Sequence, residues 1–230
     1  MAKVIKFVPE AAKIAKDKMD AIQPALSAKF VQLISFLSDY PTNCSAPRSK
    51  SLKDNMGGEE HIESLANNFY ESRKPKVPSP PKTFPDEVVS LVLNISFDIR
   101  EEDLSRIKYE HAISMGAENI VGELLERYLA EKLEPLGWIW CSGTSVKSVD
   151  FIKYDEITDR WHLLQVKNRN NTENSSSSKV RDNTDIKKWF RTFSQRDATN
   201  WATFPDDVST QNLSEDDFRL FVTKYLNSLK

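Results

Sequence analysis

The chain has 230 residues, 39% of them hydrophobic, with 12 Phe and 5 Trp, enough for one packed core or one core with a helical extension. No run approaches a membrane span, the start (Met1 to Phe7) lacks the apolar stretch of a signal peptide, and Cys44 and Cys141 stand far apart without CxxC or Cys/His spacing; a membrane protein, a secreted disulfide scaffold and a structural zinc module are therefore not expected, and a reducing cytoplasm is. Net charge is −2 but unevenly spread: residues 1–53 carry nine Lys or Arg against four acids, residues 54–135 nine against seventeen, and residues 165–196 eight against three, which suits directional contacts in a basic cleft better than non-specific electrostatic binding.

Residues 1 to about 40 are expected to be helical. Ala11, Ile14, Ala15 and Met19 recur at helical spacing, Pro24 interrupts, and Phe30, Leu33, Ile34 and Leu37 make a second stripe. Asn43 to Gly58 reads as a polar loop, whose Arg48, Lys50 and Lys53 suit backbone phosphates or plain solvation. A helix from Glu59 to Ser72 follows, with Ile62, Leu65, Ala66 and Phe69 on one face. Arg73 to Pro85 holds five prolines in thirteen residues, a stiff extended connector. That places a boundary between a helical amino-terminal subdomain (residues 1–85) and the main core (residues 86–230).

Asp86 to Phe97, Glu101 to about Ser114, and Gly116 to Leu133 read as three more helices. The last has Ile120, Val121, Leu124, Leu125, Tyr128, Leu129 and Leu133 as a buried stripe and stops at Pro135-Leu136-Gly137. Trp138 to Cys141 begins a sheet. Strands holding Val149, Phe151 and Ile152, then Trp161, Leu163, Leu164 and Val166, pair as a hairpin around turn-like Tyr154 to Arg160. Further on, Thr184 to Phe193 reads as a basic amphipathic helix, with Ile186, Trp189, Phe190 and Phe193 as its apolar members. Ser214 to Asp217 is a capping-box pattern. A last helix, Phe218 to Leu229, should turn Leu220, Phe221 and Tyr225 to the core.

The hairpin brings Asp150 near Gln165 and Lys167, which lie two apart and share a sheet face. A carboxylate and an amide oxygen can hold a hard cation such as Mg²⁺, and an adjacent ammonium can orient a water and offset phosphate charge. Together these parts hydrolyse a phosphodiester. The next segment, Asn168 to Arg181, has almost no apolar residue and is dense in groups that read base edges and grip phosphates. Asn168, Arg169, Asn171, Asn174, Ser175, Ser176, Lys179 and Arg181 are its DNA-binding candidates. A serine-rich linker is the plainer reading; the position beside the triplet and the Arg and Asn content stand against it. His61, His111 and His162 form no HxH, HNH or HExxH pattern, and His162, close to the triplet, reads as structural.

Asp150 followed by Gln165-Val166-Lys167 resembles the PD-(D/E)xK nuclease signature, with Gln at the acidic position of the triplet. The run QVKNRNNTENSSSS, preceded by a Gly-Trp strand and SVDFI, resembles the small type II restriction endonucleases of the SinI/AvaII type over about residues 110 to 200. The resemblance implies an α/β fold, with a PD-(D/E)xK core of mixed central sheet flanked by helices and a helical amino-terminal extension. It implies a Mg²⁺-dependent enzyme that cuts both strands of double-stranded DNA within GGWCC, where W is A or T. Such an enzyme acts as a homodimer and is accompanied genetically by a cognate DNA methyltransferase. A Glu from the long helix would reach the metal. Glu123 is the choice, because Gly122 before it would permit close approach to the sheet; Glu118 and Glu126 compete, and solvated carboxylates are the plain alternative. The expected catalytic set is Asp150, Gln165, Lys167 and Glu123, with Asp150, Gln165 and Glu123 on the metal. Two other readings remain: a repair or junction nuclease that reads DNA shape, and a DNA-binding module on a dead nuclease fold. An intact Lys167 beside two oxygen ligands speaks against the second.

Overall fold

Adjacent apolar residues in the two central strands point to opposite sides of the sheet, so each side needs its own cover. The computed structural model describes residues 5–79, 82, 86–170, 186–206 and 213–230. Its sheet holds β1 (Ile139–Trp140), β2 (Phe151–Asp155), β3 (Arg160–Arg169) and β4 (Ile186–Thr192), in that spatial order. β1–β2 and β2–β3 are antiparallel and β3–β4 is parallel, so the fold is mixed α/β, as the restriction-endonuclease-like expectation requires.

On one side lie α1 (Ala11–Ile22), α2 (Ser27–Asp39) and α4 (Glu59–Glu71), with the short α3 (Lys50–Asp54) between. Met19, Phe30, Leu33, Ile34, Ile62 and Phe69 pack there against Ile139, Val149, Ile152 and Leu163. On the other side lie α6 (Glu101–Leu133) and α7 (Glu215–Asn227), preceded in the chain by α5 (Glu87–Phe97). Leu124, Leu125, Tyr128, Leu129 and Phe218 pack there against Trp140, Phe151, Leu164, Val166 and Trp189. The pairs Phe151/Ile152 and Leu163/Leu164 therefore split between two cores. Full burial of such side chains contributes ~1.5–3 kcal/mol each, which fixes the register: a one-residue slip would exchange the two faces.

Several elements match the sequence reading closely, including the break at Pro24, α4 and α5; α5 begins one residue after Asp86, whose Oδ1 caps it by accepting from Val88 N at 2.9 Å. Ser214 Oγ accepts from Asp217 N at 3.1 Å, so the capping pattern is used. Four expectations are corrected. Residues 186–192 form a strand, because Trp189 pairs with Val166 and buries in the α6 core; aromatic spacing that mimics a helical period lost to sheet pairing. The helices at 101–114 and 116–133 are one continuous α6, since Gly116 weakens a helix without ending it. Part of the polar 43–58 loop is helical, as α3. Finally, α7 starts three residues before Phe218 and leaves Leu220 half-exposed, while Phe221 and Tyr225 do pack on the core.

Candidate active site

Three strands meet at Asp150. Its N–H donates to Leu164 O (2.9 Å), its carbonyl accepts from Cys141 N (2.8 Å), and its Oδ2 accepts from Val166 N–H (2.7 Å). Main chain and carboxylate are thus both anchored. Phe151 pairs with Leu164, so one further step in the register sets Asp150 across from Gln165, with Lys167 two residues along the same face.

The loop that delivers Asp150 is held by α4. Gly143 sits at φ 92°, and a Cβ there would lie 2.2 Å from Asn68 Oδ1. Only glycine meets both demands. The same Asn68 oxygen accepts from Thr144 N (3.1 Å) and Ser145 Oγ (2.9 Å), and Ser142 Oγ donates to Phe69 O (2.9 Å). The amino-terminal helices therefore do part of the positioning.

A second carboxylate, Glu126, feels the Asp150 charge. Burial raises Asp150 to about 6, opposed by the Val166 N–H and the Lys167 ammonium. Glu126, on α6, is raised to about 7, by burial first and by the Asp150 charge second; the Trp140 indole N–H, 2.8 Å from its Oε2, opposes the rise. Two carboxylates in one another's field, with little water, resist joint ionisation. A divalent cation would relieve that conflict, with the Gln165 amide of the expected metal set as a neutral oxygen to add to the carboxylates. Among the described residues no cluster of three His, Cys, Asp or Glu is available, so the amide matters to this reading.

Glu123 is placed differently. Its Oε1 accepts from Arg127 Nε (3.0 Å) and an Arg127 terminal nitrogen (2.7 Å), and its Oε2 from Lys76 Nζ (3.1 Å). Arg127 in turn donates to the carbonyls of Ser72, Arg73 and Lys74. Glu123 thus braces an arginine that clamps the chain after α4. A Cβ on Gly122 would meet open space, which removes the reason for choosing Glu123: the glycine permits no close approach. Glu118 is exposed. Of the three glutamates, Glu126 is the one in the field of Asp150. The sequence contained no cue for the Trp140 indole that orients it, fourteen residues away.

Asn168 braces the β3–β4 pair: its Oδ1 accepts from Arg191 Nε (2.9 Å) and its carbonyl from Thr192 Oγ1 (2.9 Å). Arg169 is exposed at the end of β3, on a polar cleft of about 570 Å³ shared with Arg191, Arg196, Arg219 and Glu215. The bend after β4 is tied to the end of β3 by Ser194, whose N–H donates to Asn170 Oδ1 (2.6 Å). Arg196 lies 3.5 Å over the Phe193 ring. The sequence reading overlooked this bend, though Arg196 closes the basic stretch of residues 165–196. Asn171, Asn174, Ser175, Ser176, Lys179 and Arg181 lie outside the described residues. His162 is exposed on β3, with Nε2 3.5 Å from Asp155 Oδ2.

Known proteins resemble this chain along its whole length. The family model described as SinI restriction endonuclease matches residues 11–228. The type II restriction enzyme SinI of Salmonella infantis is 68% identical over 230 residues, all of both chains. The type II restriction enzyme Eco47I of Escherichia coli is 69% identical over 226 residues, 98% of each chain.

Proposed function

Because this chain belongs to the SinI restriction endonuclease family, and so is a type II restriction enzyme, a site-specific deoxyribonuclease, we propose that it cuts both strands of DNA at GGWCC with Mg²⁺, from a site made of Asp150, Glu126, Gln165 and Lys167. The observation that carries the residue assignment is the Val166 N–H bond to Asp150 Oδ2 (2.7 Å). It locks the carboxylate across from Gln165 and beside Lys167, while Glu126 approaches from α6.

In this reading Asp150, Glu126 and the Gln165 amide oxygen would hold the cation. When bound, the cation neutralises charge at the scissile phosphate and makes water a stronger acid at neutral pH. Asp150 contributes a carboxylate that needs no reorientation, because one oxygen is already fixed. Trp140 does the same for Glu126. Lys167 orients the attacking water and offsets negative charge as the phosphate reacts. Gln165 in place of a carboxylate leaves the site one negative charge poorer and its cation affinity lower. Arg169 and the segment through Arg181 contact DNA, and two copies act on a symmetric site, one per strand.

The test is incubation of supercoiled plasmid with the protein and Mg²⁺, followed by sequencing of the ends. Cuts confined to GGWCC are expected, with Asp150→Ala binding the site yet leaving it intact. Ends at unrelated sequences, or near wild-type cutting by Asp150→Ala, would refute the site or the residue assignment respectively.

A further inference from the structure

Helix α5 has no buried residue along its 11 positions. In α6, burial begins only at Gly116, so its first fifteen residues, about 22 Å of helix, stand clear of both cores. The two are joined through Asp98, in the left-handed conformation, and make a projecting hairpin. Val88, Leu91, Val92 and Ile95 recur at i, i+3, i+4 and i+7 and are all exposed, Ile95 at 74%. Tyr109 and Ile113 extend the apolar surface onto α6. This pattern is the buried face of an amphipathic helix, turned to solvent. A hairpin of this size is marginal in water without a partner that buries it.

We propose that this face is the contact between two copies of the chain, the hairpins closing as a four-helix bundle. Nine large hydrophobic side chains of the hairpin are exposed; the six on the stripe and its α6 extension (Val88, Leu91, Val92, Ile95, Tyr109 and Ile113) leave open on the order of 600 Å² per copy, approaching the roughly 800 Å² per partner of a standard stable interface. Soluble monomers rarely leave a patch of that extent open. Residues 86–115 carry seven Asp or Glu against three Lys or Arg, so charge disfavours self-association and the apolar stripe must outweigh it; on α6 the repulsion is reduced by Arg106, which pairs with Asp103 (3.2 Å) and Glu110 (3.0 Å). A two-fold axis lets one apolar stripe serve as its own complement, and two helical hairpins have a common solution in the bundle. The inference deepens the nuclease reading, since a symmetric duplex site cut in both strands calls for two active sites held at fixed separation.

Light scattering on the full chain at micromolar concentration should give twice the chain mass. Leu91→Glu with Ile95→Glu should give one chain mass, a dissociation constant raised at least a hundredfold, and native tryptophan fluorescence at room temperature, which shows the core still folded; its melting temperature should no longer depend on protein concentration. As a second measurement, amide exchange over residues 87–115 of the unaltered protein should be slow in the two-chain form and accelerate on dilution. Two-chain mass in both proteins would overturn the interface. So would one-chain mass in the unaltered protein, with or without binding of its hairpin to phosphatidylcholine vesicles. The nuclease reading fails separately: a two-chain protein that the variant splits, but that cuts no plasmid, keeps the interface and loses the proposed activity.

Discussion

Replacing Glu126 with Gln separates a catalytic carboxylate from a structural one. The amide oxygen can still accept from the Trp140 indole, 2.8 Å away in the native pair, so shape and that bond survive while the charge goes. Glu126 stands at about 7 in the fold, against 4.5 ordinarily. A group whose folded value is raised contributes stability that is complete below its unfolded value and is lost as pH rises through the folded one. Between pH 4.5 and about 7 the native protein therefore forfeits up to about 3 kcal/mol. Part of that reflects the shared charge with Asp150, so about 2 kcal/mol is the expected gain for the cation-free variant at pH 8. For a chain of this size that corresponds to roughly 4–8 °C in melting temperature. At pH 4.5 the gain should vanish, because both proteins are then neutral at this position. Added Mg²⁺ should stabilise the native protein at pH 8 more than the variant, and cleavage should drop by roughly 10²–10³. Thermal melts at the two pH values, with and without Mg²⁺, check all of this. A variant that melts at or below the native protein at pH 8 without cation would refute the burial of Glu126 beside Asp150.

Three more outcomes follow from the same geometry. Gly143→Ala must place a Cβ 2.2 Å from Asn68 Oδ1 at φ 92°; denaturant titration should show a loss of at least ~2 kcal/mol, with cleavage reduced because the loop that delivers Asp150 moves, and a neutral result would contradict the close approach. His61 is held low by burial and accepts from Gly57 N at its Nδ1 (3.0 Å); protonation favours the unfolded chain, so stability should be complete above pH 6.5 and decline below it, and an NMR titration of His61 with a midpoint at or above 6.5 would contradict this. Arg169→Ala should weaken binding to GGWCC by about 1–3 kcal/mol if Arg169 reads a base, relaxing choice at one base pair, or weaken all sequences alike if it meets phosphate; equal binding and choice in a competition assay would exclude both.

The hairpin was legible in the sequence because it is local. Two strands joined by a short turn have a register set by their own alternation, and that alternation also places Asp150 opposite Gln165 and beside Lys167. The helices α1, α2 and α4 were legible for a like reason: their apolar period is written along one continuous segment each. β4 was not, since Ile186, Trp189, Phe190 and Phe193 satisfy a helical period equally well, and only the open edge of β3 decides between them. Nor were the surroundings of the helix glutamates, because 118, 123 and 126 differ by their rotation about α6 and by partners brought in by the fold: Arg127 and Lys76 for Glu123, Trp140 and the Asp150 charge for Glu126. Local periodicity determined which segments are helix or hairpin and which polar groups share a strand face. The tertiary structure decided which distant groups meet, because long-range pairing and burial depend on where the elements pack and not on their spacing in the chain.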